Sequence, residues 1–257
     1  MAFSRAVLPA ERPTPGQLSS AMAGIGMRFA SRPDWGANIE DTLLFASEVG
    51  MESDDLRVLS VLATWLGVHA AWVNADRLVR IAREHESERV RAFWSAVGSW
   101  RSRDRRFARL EKVYNGHKLD LLSVGTEFQL SRRGEDPRFA GSAMRVPAGV
   151  LRDRQDDVLD PDTLSQRHLT YRFRVIIGPT YRADMWAALE QDPTLSPAEL
   201  ARRTYGSFAT AWQVRRDYMV VHGPGVATGK ARLPSNLGSN TVRLPGDVFR
   251  TARSRRP

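Results

Sequence analysis

Helix-start signals recur along residues 38–116, and they constrain the fold more than any other feature of the chain. In "NIEDTLLFASEVG", Asn38 serves as N-cap, Asp41 falls in the first turn and Gly50 supplies a stop. Leu43, Leu44, Ala46 and Val49 give that segment an apolar face. In "SDDLRVLSVLATWLGVHAAWV", Ser53 caps while Asp54 and Asp55 complement the positive end of the helix. Leu56, Leu59, Leu62, Ala63 and Leu66 then recur at three-and-four spacing. Asn74 caps "ADRLVRIAREH", Ser87 caps "ERVRAFWSAVGSW", and "DRRFARLEKVYNG" reads as a further basic helix ending at Gly116. Five short helices with brief connections predict a compact helical domain over 38–116. Trp65, Trp72, Phe93, Trp94 and Trp100 carry more aromatic surface than a small domain hides. Part of it is therefore expected to meet a protein partner or a second copy in a homodimer.

The flanking segments differ in character. Residues 1–37 hold Pro9, Pro13, Pro15 and Pro33 without a sustained period, which predicts a flexible arm. Residues 117–178 form a mixed segment of loops and short strands, with β-prone runs at 118–122, 126–130 and 143–146. Within it "DPDTLSQRHL" reads as a capped helix, and the apolar run of "TYRFRVIIGPT" as a strand stopped by Gly-Pro. Residues 179–230 return to helices, and 231–257 read as a basic flexible tail. With 257 residues, 42% of them hydrophobic, the expectation is a mainly α protein of two units.

"TLSPAELARRTYGSFATAWQVRRDY", residues 194–218, has the most specific local pattern. Ser196 as N-cap, Pro197 at the first helical position and Glu199 at the third make a capping box. Tyr205-Gly206 makes the turn, glycine relieving its strain, and Ser207 caps the second helix. Ala211, Val214, Tyr218 and Val221 form an inward stripe on that helix, and "RADMWAALEQDP" supplies a supporting one. Phe208 and Trp212 fit a core better than a contact surface.

This pattern resembles a helix-turn-helix of winged-helix type, carried by Ala201, Gly206, Ala211 and Val214 and confined to the C-terminal part of the chain. Tyr205 departs from it, standing where many members have glycine. The resemblance implies a second helix lying in the major groove of duplex DNA, with Ser207, Thr210, Gln213 and Arg216 facing it. Gln213 would then read adenine, and Arg216 guanine or a phosphate. Arg202, Arg203 and Arg215 would hold the backbone.

Charge points the same way. Lys and Arg number 38 against 29 Asp and Glu, a net +9, which favours a polyanionic partner. From 221 onward, Lys230, Arg232 and five further arginines stand against Asp247 alone, which accounts for six of those nine charges. Such an extension suits phosphates or a minor groove. "GSWRSRDRRFARLEK" is a second basic stretch, equally suited to a solvated helix face.

Catalysis finds no such support. The chain has no cysteine, which excludes disulfides, thiolate metal sites and a cysteine nucleophile. The five histidines form no ligand pair, and the carboxylates of "GEDPRF" and "DRQDDVLDPD" sit among turn and cap signals. No phosphate loop, dinucleotide fingerprint or nucleophile elbow is present. The expectation is no catalytic residue, no metal and no cofactor. No secretory signal or long apolar span is evident, which predicts no membrane association and a cytoplasmic location. The favoured reading is a DNA-binding regulator, a repressor or antitoxin-like autoregulator, or the DNA-gripping subunit of a complex. The alternative is a helical adaptor binding an acidic protein or RNA; a nucleic-acid enzyme whose carboxylates assemble only in the fold comes third.

Overall fold

The chain enters its core well before residue 38. In the computed structural model, which describes residues 8–9 and 11–223, the first helix is α1 (Pro15–Gly24). Thr14 and Gln17 cap each other reciprocally, Pro15 starts the helix, and Leu18, Met22, Ile25 and Met27 are buried. The expected flexible arm is thus corrected for this stretch: its apolar residues pack on the core, and Trp65 donates its indole N–H to the Ile25 carbonyl at 2.7 Å.

Next come α2 (Ile39–Glu52), α3 (Leu56–His69), α4 (Ala75–Glu84) and α5 (Glu88–Trp100). Asn38, Asn74 and Ser87 cap as their positions predict. Ser53 instead closes α2, and Asp55 caps α3 by accepting from the Arg57 and Val58 amides at 3.0 Å. The basic helix expected over 104–116 is replaced by two short 3-10 turns, Arg105–Phe107 and Glu111–Val113. The reason is close packing: a Cβ on Gly98 would lie 2.3 Å from the Glu111 amide nitrogen, and Ser95 Oγ donates to the Glu111 carbonyl at 2.6 Å. The segment is bent over α5 rather than free to run as a helix.

Two-residue strands β1 (Leu119–Asp120) and β2 (Met144–Arg145) pair in parallel, as the β-prone runs there predict. The run at 126–130 is corrected to α6 (Thr126–Arg133), bounded by Gly125 and Gly134. After α7 (Pro161–Arg167), the strand expected in the apolar run of "TYRFRVIIGPT" proves to be α8 (Leu169–Ile177), capped by His168 and ended by Gly178. Its β-branched residues mimic a strand, yet Val175, Ile176 and Ile177 are exposed while Arg174 and Tyr171 face the core. The last three helices are α9 (Tyr181–Gln191), α10 (Pro197–Arg203) and α11 (Phe208–His222). The protein is mainly helical, and no described helix is long and apolar enough to cross a membrane.

One large apolar cluster spans Leu18 to Tyr171, and a smaller one serves α9, α10 and α11. Trp65, Phe93 and Trp94 are fully inside the large cluster, and Trp72 and Trp100 pack against it. Trp65, Phe93 and Trp94, each worth about 1.5–3 kcal/mol as core, are therefore not free for the expected protein contact. Of the five rings only Trp72 and Trp100 stay partly exposed. The exposed large apolar residues lie mostly on α6, α8 and α11, together with Val124 before α6 and Val49 on α2, which the sequence placed on that helix's apolar face.

Between the clusters runs a buried ionic seam. Arg174 donates to Asp184 at 2.7 and 3.1 Å and to Glu40 at 2.6 and 2.9 Å, and its own side chain is fully buried. Desolvation disfavours the Arg174 charge, but the two carboxylates more than offset that and raise its pKa. Glu40 also accepts from the Asn74 amide at 2.8 Å, tying the seam to the start of α4.

Candidate nucleic-acid interface

The trihelical unit is built around Met185, Leu189, Leu195, Leu200, Ala211, Val214 and Tyr218. Ser196 caps α10 by accepting from the Glu199 amide at 3.2 Å. The expected reciprocal half of that capping box is absent, because the Glu199 carboxylate turns to Arg203 at 3.0 Å and Arg202 at 3.7 Å. Ser207 caps α11, its Oγ accepting from the Thr210 amide at 2.9 Å and lying 2.6 Å from Thr210 Oγ1.

The turn between them works differently from the glycine argument. The left-handed residue is Tyr205, at φ 56°, and not Gly206. Gly206 packs against the unit's core: a Cβ there would lie 2.2 Å from Met185 Cε, so the tip of that methionine would have to move. Tyr205 holds its strained backbone because its ring lies flat under a cation, with the Arg77 guanidinium carbon 3.4 Å from the ring centre. Arg77 donates to Asp41 at 2.5 Å, and Tyr205 and Asp41 are hydrogen-bonded through their side chains. Burial, with the Asp41 charge behind it, pushes the Tyr205 phenol up to about 12. Burial likewise raises the Asp41 carboxyl, against the pull of Arg77. The turn is thereby pinned to α2 and α4. Tyr205→Phe keeps the ring and removes the hydroxyl; it is expected to lower the unfolding free energy by about 1–2 kcal/mol in urea titration.

The sequence-expected contact residues fall into three groups. Gln213 and Arg216 lie on the exposed face of α11, and Gln213 has no hydrogen-bond partner among the described residues. Arg216 sits 5.6 Å over the Trp212 ring and 3.3 Å from Asp217. Ser207 and Thr210 are half-buried and engaged with each other in the cap. Arg202 and Arg203 are exposed but share Glu199, and Arg203 also approaches Asp192 at 3.9 Å. Arg215 is turned inward, donating Nε–H to the Leu195 carbonyl at 2.9 Å, which bridges α11 to the start of α10. Lys230 and Arg232, the wing and the tail lie outside the described residues.

Sequence reasoning misplaced two rings and one aliphatic residue. Phe208 and Trp212, expected in the core, are 55% and 53% exposed, and Val221 is outward as well. The spacing holds the signal for Trp212, which follows Ala211 by one and precedes Val214 by two and so points off their stripe. Phe208 and Val221 have inward spacing and are nevertheless exposed at the two ends of the helix. No protein-family model, curated protein or solved structure matches this chain.

The described part of this unit, residues 181–223, carries five arginines and five carboxylates. A hydrogen bond from Arg182 at 3.2 Å holds the Asp217 carboxyl below its ordinary range. Taken as a whole, this part of the unit therefore carries no net formal charge, and the outward side of α11 presents Phe208, Trp212, Gln213 and Arg216. Among the described residues no group of three or more His, Asp or Glu is placed to hold a metal ion.

Proposed function

We propose that the chain is a DNA-binding regulator, or the DNA-gripping subunit of a complex, in which α11 is the helix that enters the major groove. The observation that carries the reading is the division of α11 into two faces. Ala211, Val214 and Tyr218 are consumed by packing, while Phe208, Trp212, Gln213 and Arg216 project from a capped, rigidly anchored start. A helix about 10–12 Å across fits the major groove, where glutamine pairs with adenine, arginine with guanine, and an apolar side chain with the thymine methyl. In this reading phosphates are held by Arg202 and Arg203 and by the cationic residues after Gly223, Lys230 and Arg232 among them. The balance of five arginines and five carboxylates over 181–223 supports a large share for the latter.

The two classes of contact separate by experiment. On a selected duplex, Gln213→Ala or Arg216→Ala is expected to cost about 1–3 kcal/mol and to blur discrimination at one position. Truncation after Arg243 removes four arginines and is expected to weaken all duplexes alike, with roughly one unit less salt slope per lost phosphate contact. Unchanged duplex binding in all three variants would sink the reading. The adaptor reading is favoured by one observation, the exposed Phe208–Trp212 pair, because solvent-facing rings of that size also mark protein interfaces. For an adaptor, Trp212→Ala would abolish partner capture while duplex binding stayed absent throughout.

A further inference from the structure

A cleft of about 330 Å³ lies between α3, α6 and the segment 149–154, none of which belongs to the trihelical unit. Four arginines line it, Arg57, Arg133, Arg152 and Arg154, and no carboxylate does. The guanidinium groups of Arg133 and Arg152 make no hydrogen bond or ion pair among the described residues, and that of Arg57 rests only on the Phe29 ring. Arg154 reaches Asp157 at 3.4 Å through one terminal nitrogen. Its Nε, however, is a buried donor without a partner, and Gln129 Oε1 on the same wall is a buried acceptor without one.

This arrangement is unfavourable when empty. Like charges gathered in one cleft repel, and each unpaired buried polar group is costly. Other exposed arginines, Arg103 and Arg105 among them, also lack partners among the described residues; what marks this place is that four arginines line one cleft with no carboxylate on its walls. A multiply charged anion relieves the repulsion and accepts from the unpaired Arg154 Nε–H, since guanidinium groups bind phosphate oxygens in bidentate fashion. The Gln129 Oε1 acceptor is left for a donor group on the ligand. The volume falls in the range of small-ligand sites, and Leu122 and Val150 give one wall an apolar surface on which a non-phosphate part can lie. We propose that the cleft binds the phosphate chain of a small polyphosphorylated ligand of the nucleoside triphosphate class. The site does not depend on how α11 is used.

The test is calorimetric titration of the full chain with inorganic tripolyphosphate and with a nucleoside triphosphate, at about 0.15 M salt so that surface attraction is screened. Saturable binding tighter than about 1 mM is expected for both, and the nucleotide should bind more tightly by the contact of its base and ribose with the apolar wall. The double variant Arg133→Gln/Arg152→Gln should weaken both about tenfold or more. It should not lower the thermal midpoint of the free protein, because both side chains are exposed and their removal lessens repulsion in the empty cleft. Arg103→Gln/Arg105→Gln, an equally exposed pair outside the cleft, should change binding less than about twofold. Absence of saturable binding, or equal weakening by the two pairs, overturns the proposal. So does a duplex oligonucleotide whose binding, unlike that of the small anions, falls with Arg133→Gln/Arg152→Gln, since the cleft would then hold nucleic-acid backbone.

Discussion

Replacing Arg174 by alanine is expected to lower the unfolding free energy by about 3–5 kcal/mol. Arg174 is fully buried and is bonded to both Glu40 and Asp184, so its removal strands two carboxylates in the seam between the apolar clusters. A loss of that size is a large part of the 5–15 kcal/mol that holds a typical domain together. Its pH dependence carries a sign. Burial already raises the Asp184 carboxyl despite Arg174, and without the cation the raising is greater. A raised carboxyl stabilises below its unfolded value and loses that contribution as pH rises through the folded value. The deficit of Arg174→Ala should therefore be larger at pH 8 than at pH 5. Replacing all three by apolar residues of similar size, as in Glu40→Leu/Arg174→Met/Asp184→Leu, should recover most of it. Urea midpoints measure each. A single-variant loss under about 1 kcal/mol would mean that the seam is not what joins the trihelical unit to the helices before it.

Acid should unfold the protein through two histidines. His69 lies among Trp65, Trp72 and Tyr171, bonded to the Tyr171 hydroxyl at 2.8 Å and the Leu159 carbonyl at 2.9 Å. His168 lies 3.0 Å from the Ala37 carbonyl through Nε2 and accepts from the Tyr171 amide at Nδ1. Burial lowers each to about 4. Between that value and the ordinary 6.5 the unfolded chain binds both protons and the folded chain neither, so stability rises with pH across this window. Two such groups give a slope of up to about 2.7 kcal/mol per pH unit. The raised carboxyls of Asp41 and Asp184 act in the opposite direction and reduce it. His168→Asn keeps an acceptor at the cap of α8 and removes one titration, so it should flatten the slope by about half. Identical slopes in the two proteins would show that His168 is not buried as a neutral ring.

Local signals and long-range ones divided between them what could be read in advance. The caps at Asn38, Asn74, Ser87, Ser196 and Ser207 are chemical facts of neighbouring residues, and each stands where the sequence puts it. The capping box of α1 was equally legible in "TPGQ", but the surrounding prolines obscured it. What fails is whatever depends on distant partners. Arg174 sits beside a run of β-branched residues, and only its partners on other elements, Asp184 and, 134 positions away, Glu40, make a helix with that arginine inward the stable choice. Tyr205 looks like a flaw in a turn until Arg77 and Asp41 are brought beneath it. On α11 the inward placement of Ala211, Val214 and Tyr218 was readable from spacing, though not the exposure of Val221, and so was the outward placement of Gln213 and Arg216. Arg215 was not, because its partner is a backbone carbonyl at Leu195 on another element.

The central claim is that the outward face of α11 reads sequence in duplex DNA. Selection from a randomised duplex pool tests it most directly, using the full chain at about 0.15 M salt and, in parallel, the Gln213→Ala/Arg216→Ala variant. The account predicts that the unmodified protein enriches one common motif and that the variant retains non-specific binding while losing enrichment at the positions the two side chains read. No enrichment by the unmodified protein, or the same motif recovered by both, would contradict it.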